Sequence, residues 1–299
     1  FTSGREVLAA LTDLTASERY FGEPAFFPTR SGIRYRPPDR SRQIGAENHR
    51  DVCLATFAEA GLSLSTEFTT PKETFHLRDL LRDSVQNFHL RQEELPWTAI
   101  AYALYSSVGP RWTNRFGESF GWDELTEALL AAPFERNSCG GTHLLYALMV
   151  IRRTDRPLST SVRAKLEERM KKAIASASAR QAEDGHWSAD WWADVASESM
   201  KPKQRFDDSP FARLLITGHL LECLTFAPPE LQPPADVYRR AARWLCRVLQ
   251  DNRMKTDTSI CPRTHGICAV RNLLETGENL APIGCQMVDV AGDGRPPLR

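Results

Sequence analysis

The strongest constraint on the fold is a spacing of about 46 residues between apolar stretches. Apolar runs begin at intervals of 48, 46, 76 and 46 residues, at His49, Trp97, His143, His219 and His265. An amphipathic helix pattern separates successive runs, and the one long interval contains the polar stretch 188–213. A helix pair that repeats at this period is typical of helical arrays. In an open superhelix both helices of a pair keep a face toward solvent, so an apolar inner helix paired with an amphipathic outer helix favours a closed ring. The open superhelix is the alternative.

The sequence therefore predicts an all-α chain that forms an α/α toroid of four to five helical hairpins. No segment shows the period-2 alternation of a β-strand. We expect residues 1–41 to form a helix and an irregular segment, residues 42–290 the toroid, and residues 291–299 a tail. Residues 188–213 replace a short connection between an outer and an inner helix, so we expect them to form a lid over one mouth of the ring.

Composition excludes several classes of function. The chain has 38 basic and 38 acidic residues, so no net charge favours nucleic acid or an anionic membrane surface. Its seven cysteines include no Cys-x-x-Cys pair, which argues against a zinc ribbon. No apolar stretch approaches the roughly 18 residues of a transmembrane helix. Because the chain begins with Phe1 rather than with Met, an upstream export signal or anchor is one expectation for its localisation.

Histidines stand at the expected starts of four apolar helices, and each is followed four residues later by a small residue. The inner helices of a toroid are parallel, so their N-termini meet at one mouth, where unpaired N–H groups attract anions and lower histidine pKa values. We predict a catalytic cluster at this mouth that consists of Asn48, His49, His143, His219 and His265. Of these, we expect His143, His219 and His265 to bind a divalent metal such as zinc. The alternative is that repeated histidines only pack the ring.

Further candidates for ligand contact lie close to these positions. Cys139 and Thr142 flank the glycines before His143, and Cys139 is a candidate nucleophile or metal ligand, or an inert thiol beside a closely packed turn. Trp187, Trp191 and Trp192 offer flat faces suited to sugar rings or isoprenoid chains, or they plug the barrel. We expect a small-molecule, glycan or lipid ligand in the lumen.

Two motifs resemble those of known toroids. The stretch Gln181-Ala-Glu-Asp-Gly-His-Trp187 resembles the glutamine–tryptophan repeat of squalene and terpene cyclases, which are α/α toroids related in fold to protein prenyltransferases. The resemblance implies a toroid over residues 42–290, in which Gln181 ties off helix ends. Cys139-Gly-Gly-Thr-His143 resembles a stretch of uncharacterised bacterial toroid proteins with Thr-His at helix starts.

The chemistry of those families does not carry over with the fold. The sequence lacks the Asp-x-Asp-Asp acid of the cyclases, the aspartate-rich diphosphate motif of terpene synthases and the Asp-x-Cys zinc signature of protein prenyltransferases. The pair Asn48-His49 resembles the Asn-His pair of toroidal polysaccharide lyases, where asparagine neutralises a uronate carboxylate and histidine removes the α-proton.

Three functions stay open at this point. The first is an enzyme of lyase or hydrolase type that binds an anionic or carbohydrate-like ligand, with histidine as general base or as metal ligand. The second is an isoprenoid cyclase or prenyltransferase, which the aromatic residues favour and the missing acids oppose. The third is a non-catalytic toroid that binds a partner protein or a glycan. Metal content separates the first from the third.

Overall fold

The computed structural model describes residues 4–37, 47–195, 208–250 and 260–275. The predicted domain boundary near residue 41, residues 196–207 of the predicted lid, the end of the predicted toroid after residue 275 and the tail at 291–299 lie outside these ranges.

Helices dominate the described part of the chain. They are α1 (Gly4–Thr12), α2 (Leu14–Phe21), α3 (Val52–Glu59), α4 (Leu77–Gln86), α5 (Leu95–Leu104), α6 (Trp122–Ala131), α7 (Thr142–Arg153), α8 (Thr160–Ala179), α9 (Pro210–Thr225), α10 (Ala235–Gln250) and α11 (Ile260–Glu275). None of these helices combines the length and the apolar composition that a membrane span requires.

The helices fall into two sets, which we name inner and outer after the predicted arrangement. The inner set is α3, α5, α7, α9 and α11, and each of these packs against the next in chain order. Helices α5 and α7 are buried over most of their length, and residues 95–103 and 142–151 are all buried. The amphipathic helices α6 and α10 each pack on two consecutive inner helices. This alternation is the one that the 46-residue period predicts.

The expectation that no segment forms a strand is wrong. The described ranges contain three antiparallel hairpins. Their strands are β1 (Phe26–Pro28), β2 (Ile33–Tyr35), β3 (Glu67–Thr69), β4 (Thr74–His76), β5 (Arg111–Thr113) and β6 (Ser119–Gly121). Each strand has only three residues, which is too short for an alternating pattern to be recognised in the sequence. The chain is therefore mainly α rather than all-α.

Two inner helices begin earlier than the sequence predicts. Helix α9 starts at Pro210, where the Ser209 side chain accepts a hydrogen bond from the backbone N–H of Ala212, and α11 starts at Ile260. A serine cap followed by proline at the first helical position is a strong start signal. It was overlooked because these residues read as the end of the polar lid. His219 and His265 consequently lie inside their helices rather than at the N-termini.

The glutamine–tryptophan element joins α8 to α10. The side-chain amide of Gln181 donates to the carbonyl oxygens of Gly185 and Val237, at 3.1 and 2.9 Å, and Arg240 donates to its Oε1 atom. The indole N–H of Trp187 donates to the carbonyl oxygen of Ala177 at the end of α8. These bonds give Gln181 a structural role at a helix junction.

Candidate functional site

Four histidines from four different segments lie side by side in a continuous row. The ring centroids of His49 and His143 are 4.9 Å apart, those of His143 and His219 are 5.3 Å apart, and those of His219 and His265 are 3.6 Å apart. His143 and His219 are buried, whereas His49 and His265 are partly exposed at the two ends. We call this set the histidine row.

The small residues four positions after the histidines let the rings approach each other. Cys53, Ala147, Cys223 and Ala269 are all buried. A larger side chain one helical turn from each histidine would occupy the same face of the helix.

Burial, rather than helix termini, explains why the central histidines are neutral. Burial lowers the pKa of His143, and Glu94 partly opposes this effect. Burial lowers the pKa of His219 well below its usual range, and the neighbouring His265 and His143 add to the effect. His219 lies in the middle of α9, so the positive end of a helix cannot be the cause there. Only His143, the second residue of α7, keeps the predicted N-terminal position.

A strained turn places Cys139 against one end of the row. Cys139, Gly140 and Gly141 have φ angles of 51°, 63° and 82°, in the left-handed region that favours glycine. A Cβ atom at Gly141 would lie 2.7 Å from the carbonyl oxygen of Phe134, so glycine is required there. The Thr142 hydroxyl closes the turn by donating to the carbonyl oxygen of Cys139 at 2.8 Å.

This turn brings together three potential metal ligands. One ligand atom from each of His49, Cys139 and His143 lies within 4.8 Å of the other two. Among the residues that the structure describes, no other group of three or more His, Cys, Asp or Glu side chains meets this criterion. The structure therefore does not favour the predicted set of His143, His219 and His265, because its members are spread along the row instead of surrounding one point.

Glu94 holds the two histidines of this group. Its Oε1 atom is 3.2 Å from Nδ1 of His49, its Oε2 atom is 3.5 Å from Nδ1 of His143, and it also accepts a hydrogen bond from the Ser138 hydroxyl. Burial raises the pKa of Glu94, but the hydrogen bonds from His143, His49 and Ser138 outweigh this and hold it well below its usual range. Glu94 is therefore a carboxylate that orients both imidazoles.

Two groups compete for Nδ1 of His143. The indole N–H of Trp97 donates to this atom at 3.2 Å, and the Glu94 carboxylate lies 3.5 Å from it. An indole N–H can only donate, so the bond from Trp97 requires an unprotonated Nδ1. A proton on Nδ1 would instead be donated to Glu94, and only this second tautomer leaves Nε2 of His143 available as a metal ligand.

A second polar layer lies at the other end of the row. Nδ1 of His265 is 2.6 Å from Oε2 of Glu222, and the Tyr146 hydroxyl donates to Oε1 of Glu59 at 2.6 Å. These residues come from α11, α9, α7 and α3, so four inner helices contribute to the layer. Charged side chains are rare in the interior of a helical layer unless they are paired or functional.

His219 lies in the histidine row between His143 and His265. Its Nδ1 atom is 2.9 Å from the carbonyl oxygen of Leu215, which must accept, so Nδ1 carries the proton. The opposite atom, Nε2, is buried and has no hydrogen-bond partner among the described residues. An unpaired lone pair in the interior costs free energy, and such groups in native proteins often mark binding sites.

The predicted ligand-contact residues have different positions. Trp187, Trp191 and Trp192 are 0, 0 and 1% exposed, so all three are core residues. Trp191 donates its indole N–H to the carbonyl oxygen of Gly140 and thereby supports the Cys139 turn. Asn48 is exposed to solvent.

Sequence reasoning missed the acidic partners of the histidines. Glu222 follows His219 by three residues, and Tyr146 follows His143 by three, so both lie one helical turn along the same face. That spacing was the available signal. Glu94 and Glu59 have no comparable local signal, because only the packing of distant segments brings them to the histidines.

A surface groove lies elsewhere, between the end of α8 and residues 230–234, with a volume of about 570 Å³. Its lining is mostly aliphatic and proline side chains, and the titratable groups described above do not contribute to it. We therefore consider the histidine row the candidate site.

Comparison with protein-family models, with curated proteins and with solved structures gives no match to this chain.

Proposed function

We propose that the protein is an enzyme of hydrolase or lyase type that binds a divalent metal at His49, Cys139 and His143 and acts on an anionic or carbohydrate-like small molecule. The observation that carries the proposal is the mutual approach of three ligand atoms to within 4.8 Å. Two imidazoles and one thiolate suit zinc and other first-row metals, and three protein ligands leave an open position for water or substrate.

The surroundings of the three residues support a metal site. Metal-binding histidines commonly donate their second ring N–H to a carboxylate, and Glu94 is in position to accept from both His49 and His143. The bound ion would polarise a ligand carbonyl or lower the pKa of a coordinated water. The N-terminus of α7 directly follows the Cys139 turn, and its backbone N–H groups favour a negatively charged ligand group.

Cobalt binding tests this proposal. We expect the protein to bind one Co²⁺ per chain at this group and to show the thiolate-to-cobalt charge-transfer band of a cysteine ligand. Cys139→Ser should remove the band, and His49→Ala or His143→Ala should weaken binding. The matched controls are Cys268→Ser, another partly buried thiol, and His89→Ala, an exposed histidine. A band that survives in Cys139→Ser, or no cobalt binding, would contradict the proposal.

A second candidate uses the same residues without a metal. Cys139 has a positive φ at the start of a helix, as strained nucleophiles often have, and His49 with Glu94 provides an oriented base beside it. In this case iodoacetamide should alkylate Cys139 rapidly at neutral pH, and His49→Ala should slow the reaction. Protection of Cys139 by stoichiometric Zn²⁺ favours the metal site instead.

A further inference from the structure

The second polar layer contains two carboxyl groups in different environments. Nδ1 of His265 is 2.6 Å from Oε2 of Glu222, so Glu222 has an imidazole as its partner. Glu59 accepts a hydrogen bond from Tyr146 through Oε1, and this leaves its Oε2 atom to carry a proton. Two carboxyl groups whose partners differ in this way are candidates for different roles in acid–base chemistry.

The charges that face Glu59 are consistent with a protonated group. Burial raises the pKa of Glu59 to about 7, the Tyr146 bond lowers it, Glu222 raises it and His265 lowers it. The titratable groups around it come from α7, α9 and α11, and they are Tyr146, Glu222, Cys223, His265 and Cys268. No lysine or arginine is among them, so a proton is the means by which Glu59 avoids an uncompensated charge.

The position of Glu59 also fits a ligand-contacting group. Its side chain is only partly buried. Its partner Tyr146 packs its ring 6.5 Å from that of Trp97, which in turn lies 4.8 Å from His143. Two successive aromatic contacts thus connect the second polar layer to His143 of the metal-binding group. His219, whose buried Nε2 atom lacks a hydrogen-bond partner in the described part of the chain, lies between the two.

We propose that Glu59 is the proton donor of this site, and that it protonates an oxygen atom of a hydroxylated or ester-type small molecule bound at the second polar layer, beside His219. This inference rests on the proposed function in naming a reaction of hydrolase or lyase type. In the hydrolytic step, the proton leaves Oε2 of Glu59 for the departing oxygen as the bond between that oxygen and carbon breaks, and the oxygen of a water molecule bonds to the same carbon. The proton that this water loses returns to Glu59, so the carboxyl group ends the reaction as it began.

Glycidol is a suitable probe, because it is a small hydroxylated epoxide whose ring opens when its oxygen is protonated. The Glu59 proton moves to the epoxide oxygen, one epoxide C–O bond breaks, and a carboxylate oxygen of Glu59 or Glu222 forms an ester with that carbon. The reaction is an addition and needs no co-reactant. We expect peptide mass mapping to find the ester on Glu59 or Glu222 after reaction at pH 6, with a rate about tenfold lower at pH 8.

Two variants test whether the labelling depends on Glu59 or on any carboxyl group that is protonated near neutral pH. Glu59→Gln should abolish the labelling. Glu47→Gln should be labelled at the same rate as the unmodified protein. Burial also raises the pKa of Glu47, to about 8, so Glu47 is a second carboxyl group that holds a proton near neutral pH. It accepts a hydrogen bond from the backbone N–H of Cys53, away from this layer, and therefore serves as the control. Labelling that persists in Glu59→Gln, or no ester at any pH from about 5 to 8, would overturn the proposal.

A stability measurement tests whether the folded protein holds the Glu59 proton. The folded protein keeps this proton above the ordinary pKa of 4.5, whereas the unfolded chain loses it, so this group lowers stability as pH rises toward 7. Glu59→Gln should therefore gain stability relative to the unmodified protein between pH 5 and 8. An equal effect of the substitution at both pH values would show that the folded protein does not hold the proton, and this would overturn the assignment of Glu59 as the donor.

The labelling is measured in EDTA-treated protein, so a failure of the metal site leaves this result unaffected. In the opposite direction, Glu59→Gln should keep the cobalt charge-transfer band, since Glu59 is not one of the three metal-binding residues. The two proposals thus fail independently.

Discussion

At the scale of single residues, the acceptors bonded to the imidazoles decide what the histidines can do. Glu94 faces His49, a backbone carbonyl faces His219, and Glu222 faces His265, each at the Nδ1 atom. A proton held at Nδ1 directs the Nε2 lone pair away from the acceptor, as in metal-binding and general-base histidines. His143 differs, because Trp97 and Glu94 compete for its Nδ1 atom.

Glu94→Gln should weaken metal binding about 10- to 100-fold, the usual effect of losing a partner that orients metal ligands. The amide keeps the shape of the side chain but cannot accept from both imidazoles as a charged group. Trp97→Phe is the informative comparison, since it removes the donor that favours the wrong tautomer of His143 and should leave the affinity unchanged or higher. Zn²⁺ competition with a chromophoric chelator measures both variants, and equal affinities in all three proteins would refute the role of Glu94.

Glu47 predicts a pH dependence of stability. Burial first, and then the charge of Asp51, raises its pKa from 4.5 to about 8. The folded protein therefore binds a proton that the unfolded chain releases, so stability is highest below about pH 4.5 for this group and falls as pH rises through 8. Glu47→Gln should become more stable than the unmodified protein by several kcal/mol at pH 9 and should match it at pH 5. Urea unfolding at the two pH values measures the difference, and parallel pH profiles would contradict it.

At the scale of elements, the period of the sequence predicts the order of inner and outer helices, but local signals determine where they begin. The apolar runs after Trp97 and His143 coincide with α5 and α7. The start of α9 at Ser209 and Pro210 was missed, because a polar stretch there was assigned to the lid as a whole. The hairpins were missed because three-residue strands carry too little pattern.

The candidate site, like the fold, is predictable from the sequence only in part. The convergence of the four histidines follows from equivalent repeat positions, and the structure brings them together. The choice of metal ligands does not follow, since it depends on the left-handed turn at Cys139 and on Glu94, which approaches from a different segment. Charge pairing between distant segments is a property of packing and leaves no local trace in the sequence.

Gly185 tests the helix junction at Gln181. Its φ is +105°, and a Cβ atom would lie 2.2 Å from the carbonyl oxygen of Arg240. Gly185→Ala should therefore destabilise the protein by more than about 2 kcal/mol, since backbone would have to move. Gly117→Ala is the matched control, because Gly117 also has a positive φ of +81° but nothing within 4 Å of its Cβ position, and it should cost only about 1 kcal/mol. Equal losses in the two variants, by thermal unfolding, would show that the contact is unimportant.

At the scale of the whole molecule, polar side chains connect helices that are not neighbours in chain order. Tyr146 of α7 bonds Glu59 of α3, although α5 packs between these helices in chain order. The charge of Glu222 in α9 raises the pKa of Glu59, and that of His265 in α11 lowers it. In an open superhelix, second neighbours would be too far apart for a side-chain bond. We propose on this basis that the arc of inner helices closes into the toroid that the period predicts.

A double-mutant cycle between Glu59→Leu and Tyr146→Phe tests this curvature, because leucine has no acceptor for the Tyr146 hydroxyl. At pH 5 Glu59 is protonated in the folded protein, so the cycle reports a hydrogen bond between neutral groups. We expect a coupling free energy of about 1 kcal/mol, as for a net intramolecular hydrogen bond. Glu59→Leu combined with Tyr105→Phe should be additive, because Tyr105 donates to the carbonyl oxygen of Leu62 instead. Additivity in both cycles would argue for an open arrangement.

Anomalous scattering from a zinc-soaked crystal tests the central claim most directly, because it locates the ion without reference to any substrate. The account predicts a single strong peak at the zinc absorption edge, within about 2.5 Å of ligand atoms from His49, Cys139 and His143. The Cys139→Ser crystal should lose most of that peak. A peak confined to a pair elsewhere, such as Asp184 and His186, whose carboxylate and imidazole lie 2.6 Å apart, or no peak at the histidine row, would contradict this metal site.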